Sequence, residues 1–192
     1  MPSPQVLGVE ALITRDVRQT HSLLLSHLNM IRSMPLLEGA MAVLSFESNL
    51  AFESQHLLHH LHAHRFKNWV SLAEGAHDAL GWHTTAARKE TMALLLREVL
   101  RVGRISYSRR FFSITMGSDE AKVRVANECR NFSVVVDPPK TAFAKTRKTY
   151  TGKIGGLQDD VAIALQLALA ASKTFFESSK YANFSRQATT HG

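Results

Sequence analysis

The chain has 192 residues, 45% of them hydrophobic and 20% charged, which suits a globular domain with a real core and excludes a disordered chain. Lys and Arg total 23 against 16 Asp and Glu, and the formal net charge of +7 favours an anionic partner such as nucleic acid or an acidic membrane surface. One cysteine, Cys129, excludes an internal disulfide and a cysteine-built zinc cage. No apolar run reaches the length of a membrane span, and the first residues carry no charged-then-apolar signal pattern.

Gln5 to Thr14 reads as a strand, apolar from its second residue. So short a lead-in before a core strand leads us to expect missing upstream sequence. Asp16 is a suitable N-cap for a helix carrying Val17, Leu24, Leu25, Leu28 and Ile31, which Met34-Pro35 ends. Met41 to Glu47 is a second apolar strand with a carboxylate at its C-terminal end, where open α/β sheets place their chemistry. A helix is expected from about Leu50 to His64. On it His56, His59 and His60 share one face and could meet a metal, although no carboxylate or cysteine nearby completes such a site; a wet helix face is the plainer reading.

Phe66 to Ala73 reads as a short strand and Gly75 to Gly81 as a loop. Thr84 or Thr85 caps a helix through Met92, Leu96 and Leu100 that ends at Gly103, with Arg97, Arg101 and Arg104 on or beside its polar side. Ile105 to Thr115 is extended, with Arg109-Arg110 in its middle. Gly117-Ser118-Asp119 opens a shorter helix, and Phe132 to Val136 is a β-branched strand stopped by Asp137-Pro138-Pro139. Lys140 to Lys153 interleaves Lys140, Lys145, Arg147, Lys148 and Lys153 with Phe143 and Tyr150, a mixture that suits a nucleic-acid backbone and its bases, or a solvated basic loop. Gly155-Gly156 leads to Asp159-Asp160 and an apolar helix to about Phe176. Residues 178–192 form a polar tail expected to be disordered, so the domain is 1–177.

Two acidic features stand out. Asp159 and Asp160 fall in a helix start, where capping and the helix dipole favour acids without any function. A sharper reading joins them to Glu47: hard carboxylates bind Mg²⁺ or Mn²⁺ through oxygen, and two such ions clamp the attacking and leaving oxygens of a phosphodiester.

At these residues the sequence resembles the nuclease domain of the large terminase subunit, closest to the herpesvirus form. Val6-Leu-Gly-Val-Glu-Ala-Leu-Ile-Thr-Arg-Asp16 looks like the family's third strand, Glu47-Ser48-Asn49 is similar to its strand-end E-x-N, and Asp159-Asp160-Val-Ala-Ile-Ala-Leu resembles its D-D-x-x-x-A helix start. The three pieces stand in family order. The resemblance implies an α/β, RNase H-like mixed sheet flanked by helices. It also implies a two-metal endonuclease that cuts concatemeric viral DNA during packaging in the host nucleus, alongside the other terminase subunits and the portal. Glu47, Asp159 and Asp160 would be catalytic metal ligands for two Mg²⁺ or Mn²⁺ ions, with Asn49 positioning Glu47 or touching a phosphate. Lys145, Arg147, Lys148, Lys153, Arg109 and Arg110 are the DNA-binding candidates.

The family's ATPase motor is not expected, for the chain has no Walker-type glycine loop. The family's first strand, with its own catalytic aspartate, has no counterpart before Val6, and Asp137-Pro138 reads as a strand-end turn. We therefore expect an N-terminally truncated fragment lacking its first strands, with low or absent cleavage in isolation. Two other readings compete: a non-enzymatic basic nucleic-acid-binding domain, and a histidine metal module centred on His56–His64.

Overall fold

The computed structural model describes residues 4–10, 16–35, 42–47, 56, 59, 60, 69–71, 73–74, 79–80, 82–139, 146–153 and 158–177. In chain order the elements are β1 (Gln5–Gly8), α1 (Val17–Arg32), β2 (Ala42–Leu44), β3 (Trp69–Ser71), β4 (Ala73–Glu74), β5 (Ala79–Leu80), α2 (Ala86–Arg101), β6 (Ser106–Phe112), α3 (Ser118–Asn131), β7 (Ser133–Asp137), β8 (Arg147–Thr151) and α4 (Asp160–Glu177). This is a mixed α/β chain. Among the described residues the strands pair two by two, β1 with β6 and β2 with β3 in parallel, β4 with β5 and β7 with β8 antiparallel. No described helix is long and apolar enough to cross a membrane.

The chain divides into two compact units. The first comprises Met1–Ala11 and Thr85–Gln166, the second Leu12–Thr84 and Leu167–Gly192. In the first unit α2 begins where Thr85 accepts a hydrogen bond from Arg88 N at 3.3 Å. It ends where Gly103, at φ 63°, lets Arg104 N reach back to the Val99 carbonyl at 3.0 Å. Met92 and Leu96, one turn apart on α2, are buried. Phe111 of β6, Ala121 and Val125 of α3, and Val161 and Ala162 of α4 are also core residues of this unit. The sequence predicts β1 as far as Thr14; among the described residues its ladder stops at Gly8, and 11–14 lie outside them. Its partner β6 ends at Phe112 there, and Glu10 turns its carboxylate onto Ser113, Ile114 N and Thr115 instead.

The expected basic loop is a strand over its second half. Arg147 to Thr151 pairs with Ser133 to Asp137, in the register Val134↔Tyr150 and Val136↔Lys148. Thr149, Tyr150 and Thr151 are β-favouring, and opposite a run of three valines that preference outweighs the flanking charge. β7 ends at Asp137, ahead of Pro138, as a strand-end turn requires.

In the second unit Asp16 caps α1 by accepting from Arg18 N at 2.9 Å. β2 lies beside β3, and Val43 packs on the buried Ala171 and Phe175 of the second half of α4. The expected loop over Gly75 to Gly81 holds a short strand instead: Ala79 and Leu80 pair with Glu74 and Ala73. The polar tail 178–192 lies outside the described residues, as do Lys145 and Asn49.

Candidate metal centre

Asp159 is the most deeply placed acid among the predicted site residues, at 2% exposure. The end of β8 is shaped around it. Its Oδ2 accepts from Gly152 N at 2.9 Å and from the Thr151 hydroxyl at 3.0 Å. That hydroxyl in turn accepts from Lys153 N at 3.1 Å. The approach is so close that a Cβ on Gly152 would stand 2.9 Å from the Asp159 Cβ. The other oxygen, Oδ1, is buried and accepts no hydrogen bond among the described residues; its near cation is Lys153 Nζ at 3.5 Å. The same ammonium lies 3.7 Å from Asp160 Oδ1. Asp160 itself is exposed.

Asp159 stands at the N-cap of α4, since its carbonyl accepts from Ile163 N at 2.9 Å. An N-cap aspartate ordinarily turns its side chain onto the N–H groups two and three residues on. Here those groups, Val161 N and Ala162 N, donate to Glu128 Oε2 at 2.7 and 3.2 Å. Glu128, 5% exposed on α3, is oriented from its other side by Arg124 Nε at 2.9 Å. A carboxylate at a helix N-terminus satisfies both the orphan donors and the dipole. The capping work of α4 thus falls to Glu128, and Asp159 is left facing β8. The two-acid motif was expected from the sequence; Glu128, Thr151 and Gly152 were not. The signal for Glu128 was its Arg124 partner one turn earlier, a pairing that ordinarily marks a solvated helix face.

Glu47 belongs to the second unit. It follows β2, and its backbone forms an isolated parallel bridge with Trp82, whose N–H donates to the Phe46 carbonyl at 2.8 Å. The half-buried carboxylate accepts from the Thr84 hydroxyl through Oε1 at 2.5 Å. The sequence places it at the end of a strand over Met41 to Glu47; β2 ends at Leu44, and Glu47 follows it as an isolated bridge.

Of the histidines expected to share a face, His56, His59 and His60 are helical. His60 stacks on His21 of α1, ring centroids 4.8 Å apart and planes tilted by 38°. No group of three or more His, Cys, Asp or Glu side chains able to hold a metal is present among the described residues. Burial, then the nearby His60 and His56, push the His21 imidazole below its ordinary value. The unfolded chain takes up this proton near the ordinary histidine pKa of about 6.5 and the folded one only at lower pH, so stability is present above that value and falls as the solution is acidified through it. We expect the melting temperature to drop between about pH 6.5 and 5, with a shallower slope in His21→Phe; identical slopes would contradict this.

Arg109 and Arg110 are exposed on β6, and strand alternation sends them to opposite faces. Lys148 is exposed on β8. Arg147 stands opposite Asp137 in the ladder. The first unit also holds an apolar cavity of about 300 Å³ lined by Val6, Leu100, Ile105, Tyr107, Val125 and Cys129 among others. Burial first, then Glu128, push the Cys129 thiol up to about 11, so it is a protonated packing group rather than a nucleophile. No family model matches the chain, and no curated protein or solved structure matches it either.

Proposed function

We propose that this chain is a metal-dependent DNA endonuclease domain of RNase H-like architecture, of the kind found in viral DNA-packaging terminases. The observation that carries the reading is the state of Asp159: a buried carboxylate, excused from capping its own helix, with one oxygen that accepts no hydrogen bond among the described residues and has only the Lys153 ammonium near it, at 3.5 Å. Burying such an oxygen is costly unless a cation completes it. Asp159 and its neighbour Asp160 are hard oxygen donors of the type Mg²⁺ and Mn²⁺ select. Glu47 joins them on the sequence resemblance.

Bound there, a divalent ion supplies charge neutralisation at the oxygens of a phosphodiester undergoing hydrolysis. The chain's own part is to hold the acids ready. Thr151 and Gly152 fix the Asp159 rotamer through Oδ2 and leave Oδ1 as the oxygen open to a cation. Thr84 does the same for Glu47 through Oε1. Exposed Arg109, Arg110 and Lys148 supply backbone contacts to double-stranded DNA, which the excess of positive charge supports. The working location on this reading is the nucleus of an infected host.

Calorimetric titration with Mn²⁺ tests the reading. The wild-type chain is expected to take up the ion, and Asp159→Asn to bind at least tenfold more weakly. Plasmid cutting in Mn²⁺ is expected to be weak and to vanish in both Asp159→Asn and Glu47→Ala. No Mn²⁺ uptake, or uptake indifferent to Asp159, would sink the proposal. Salt-sensitive DNA binding that persisted unchanged without divalent ions would then favour a non-enzymatic basic domain, for which the exposed arginines of β6 speak.

A further inference from the structure

Lys153 is held in an unusual way. Its ammonium stands between Asp159 Oδ1 and Asp160 Oδ1 at 3.5 and 3.7 Å, too far for a good hydrogen bond to either, and its side chain is 60% exposed. Its backbone, by contrast, is fixed, because Lys153 N donates to the Thr151 hydroxyl that also holds Asp159. The stem is therefore anchored beside the acids while the charged head sits loosely over them. A solvated contact of this kind is worth a factor of only about five in occupancy. It covers the oxygen of Asp159 that accepts no hydrogen bond among the described residues, so the lysine and an incoming cation need the same place.

We propose that Lys153 is a two-position cation: it neutralises Asp159 and Asp160 in the metal-free chain, and it is released to a nucleic-acid phosphate when a divalent ion takes that place. This rests on the metal-centre reading above and adds a coupling to it. The two acids then never face solvent uncompensated, and an empty centre does not offer its lysine to DNA. Metal loading frees a positive charge on a short tether, so the ion and the polyanion bind with positive coupling, and linkage requires that DNA raise the affinity for the ion by the same factor. The contact to phosphate is a point-charge contact, which a lysine makes without a fixed geometry.

The experiment uses the full chain, wild type and Lys153→Met, with Lys153→Gln as a second neutral variant and circular dichroism melting to verify folding. Mn²⁺ is titrated calorimetrically without DNA. Binding of a short fluorescein-labelled phosphorothioate duplex is followed by anisotropy, with and without Mn²⁺. Removing the competing charge is expected to tighten Mn²⁺ binding about fivefold in both variants. Mn²⁺ is expected to strengthen duplex binding about fivefold in the wild type and to leave it nearly unchanged in the variants. Equal or weaker Mn²⁺ affinity in the variants, or a metal-induced gain in duplex binding that survives in them, would overturn the role of Lys153 while leaving the metal centre standing. Absence of Mn²⁺ uptake in wild type and variants alike would overturn both.

Discussion

Glu128→Ala is expected to destabilise the chain by about 3 kcal/mol, more than any other single side-chain truncation around the candidate centre. The carboxylate accepts from two buried backbone N–H groups, Val161 and Ala162, and holds Arg124. Truncation orphans both donors at the positive end of α4 and strands a guanidinium whose side chain is only 29% exposed. A lost cap costs about 0.5–2 kcal/mol and a lost hydrogen bond to a charged group about 1.5–3, and the two overlap here. For a chain of this length the melting temperature should fall by about 6–12 °C. Glu128→Gln keeps an acceptor without the charge and should lose about half as much. There is a second consequence. With Glu128 gone, the Asp159 carboxylate has its ordinary N-cap partners open to it and is drawn away from β8, so Mn²⁺ affinity should fall although Glu128 is not offered as a ligand. Melting curves within a degree of wild type would contradict the assignment of the cap. A full loss of stability with unchanged Mn²⁺ affinity would contradict its link to Asp159.

The helices were legible because their boundaries are written locally. Asp16 and Thr85 are side-chain caps, Gly103 takes the left-handed turn, and Met92 and Leu96 sit a turn apart; each is decided within a few residues. Strand existence was legible for the same reason in Ser133 to Asp137, where three valines precede an Asp-Pro. Pairing was not. β1 meets β6 about a hundred residues away, and nothing in Gln5 to Gly8 names that partner. The strand character of Arg147 to Thr151 emerges only against the valine run it pairs with, so read alone the segment looked like a basic loop. The candidate site divides in the same way. Asp159 and Asp160 announce themselves as adjacent acids before an apolar helix. Glu128 looks like half of an ordinary helical ion pair until α4 is brought onto it, and Glu10 looks like a strand residue until it is found holding the turn at 113–115. Charged residues that serve distant backbone donors carry no periodic signature, because their partners lie outside the window in which periodicity is read.

Gly152→Ala reverses a usual sign, and that makes it the sharpest test of the pocket that holds Asp159. Gly152 needs no left-handed conformation in this fold. At such a position alanine ordinarily stabilises by about 0.4–1 kcal/mol, through the entropy it removes from the unfolded chain. Here the added methyl would lie 2.9 Å from the Asp159 Cβ, with the Gln158 carbonyl oxygen and the Asp159 Cα at 3.6 and 3.7 Å behind it. A Cβ is not the far end of a flexible side chain, so the clash cannot be relieved by a rotamer change. Either β8 or the entry to α4 has to shift. Overpacking of this kind costs about 1–3 kcal/mol, and the shift also stretches the Gly152 N–H bond to Oδ2, which contributes further because its acceptor is charged. We expect a net loss of about 2–4 kcal/mol. Mn²⁺ affinity should fall with it, since Asp159 loses the donor that fixes its rotamer. Should Gly152→Ala melt at or above the wild-type temperature, β8 and the α4 entry are not in contact as described, and the argument that Asp159 is held for a cation loses its geometric support. Should it melt lower while binding Mn²⁺ as wild type does, the contact is real but does not orient a ligand.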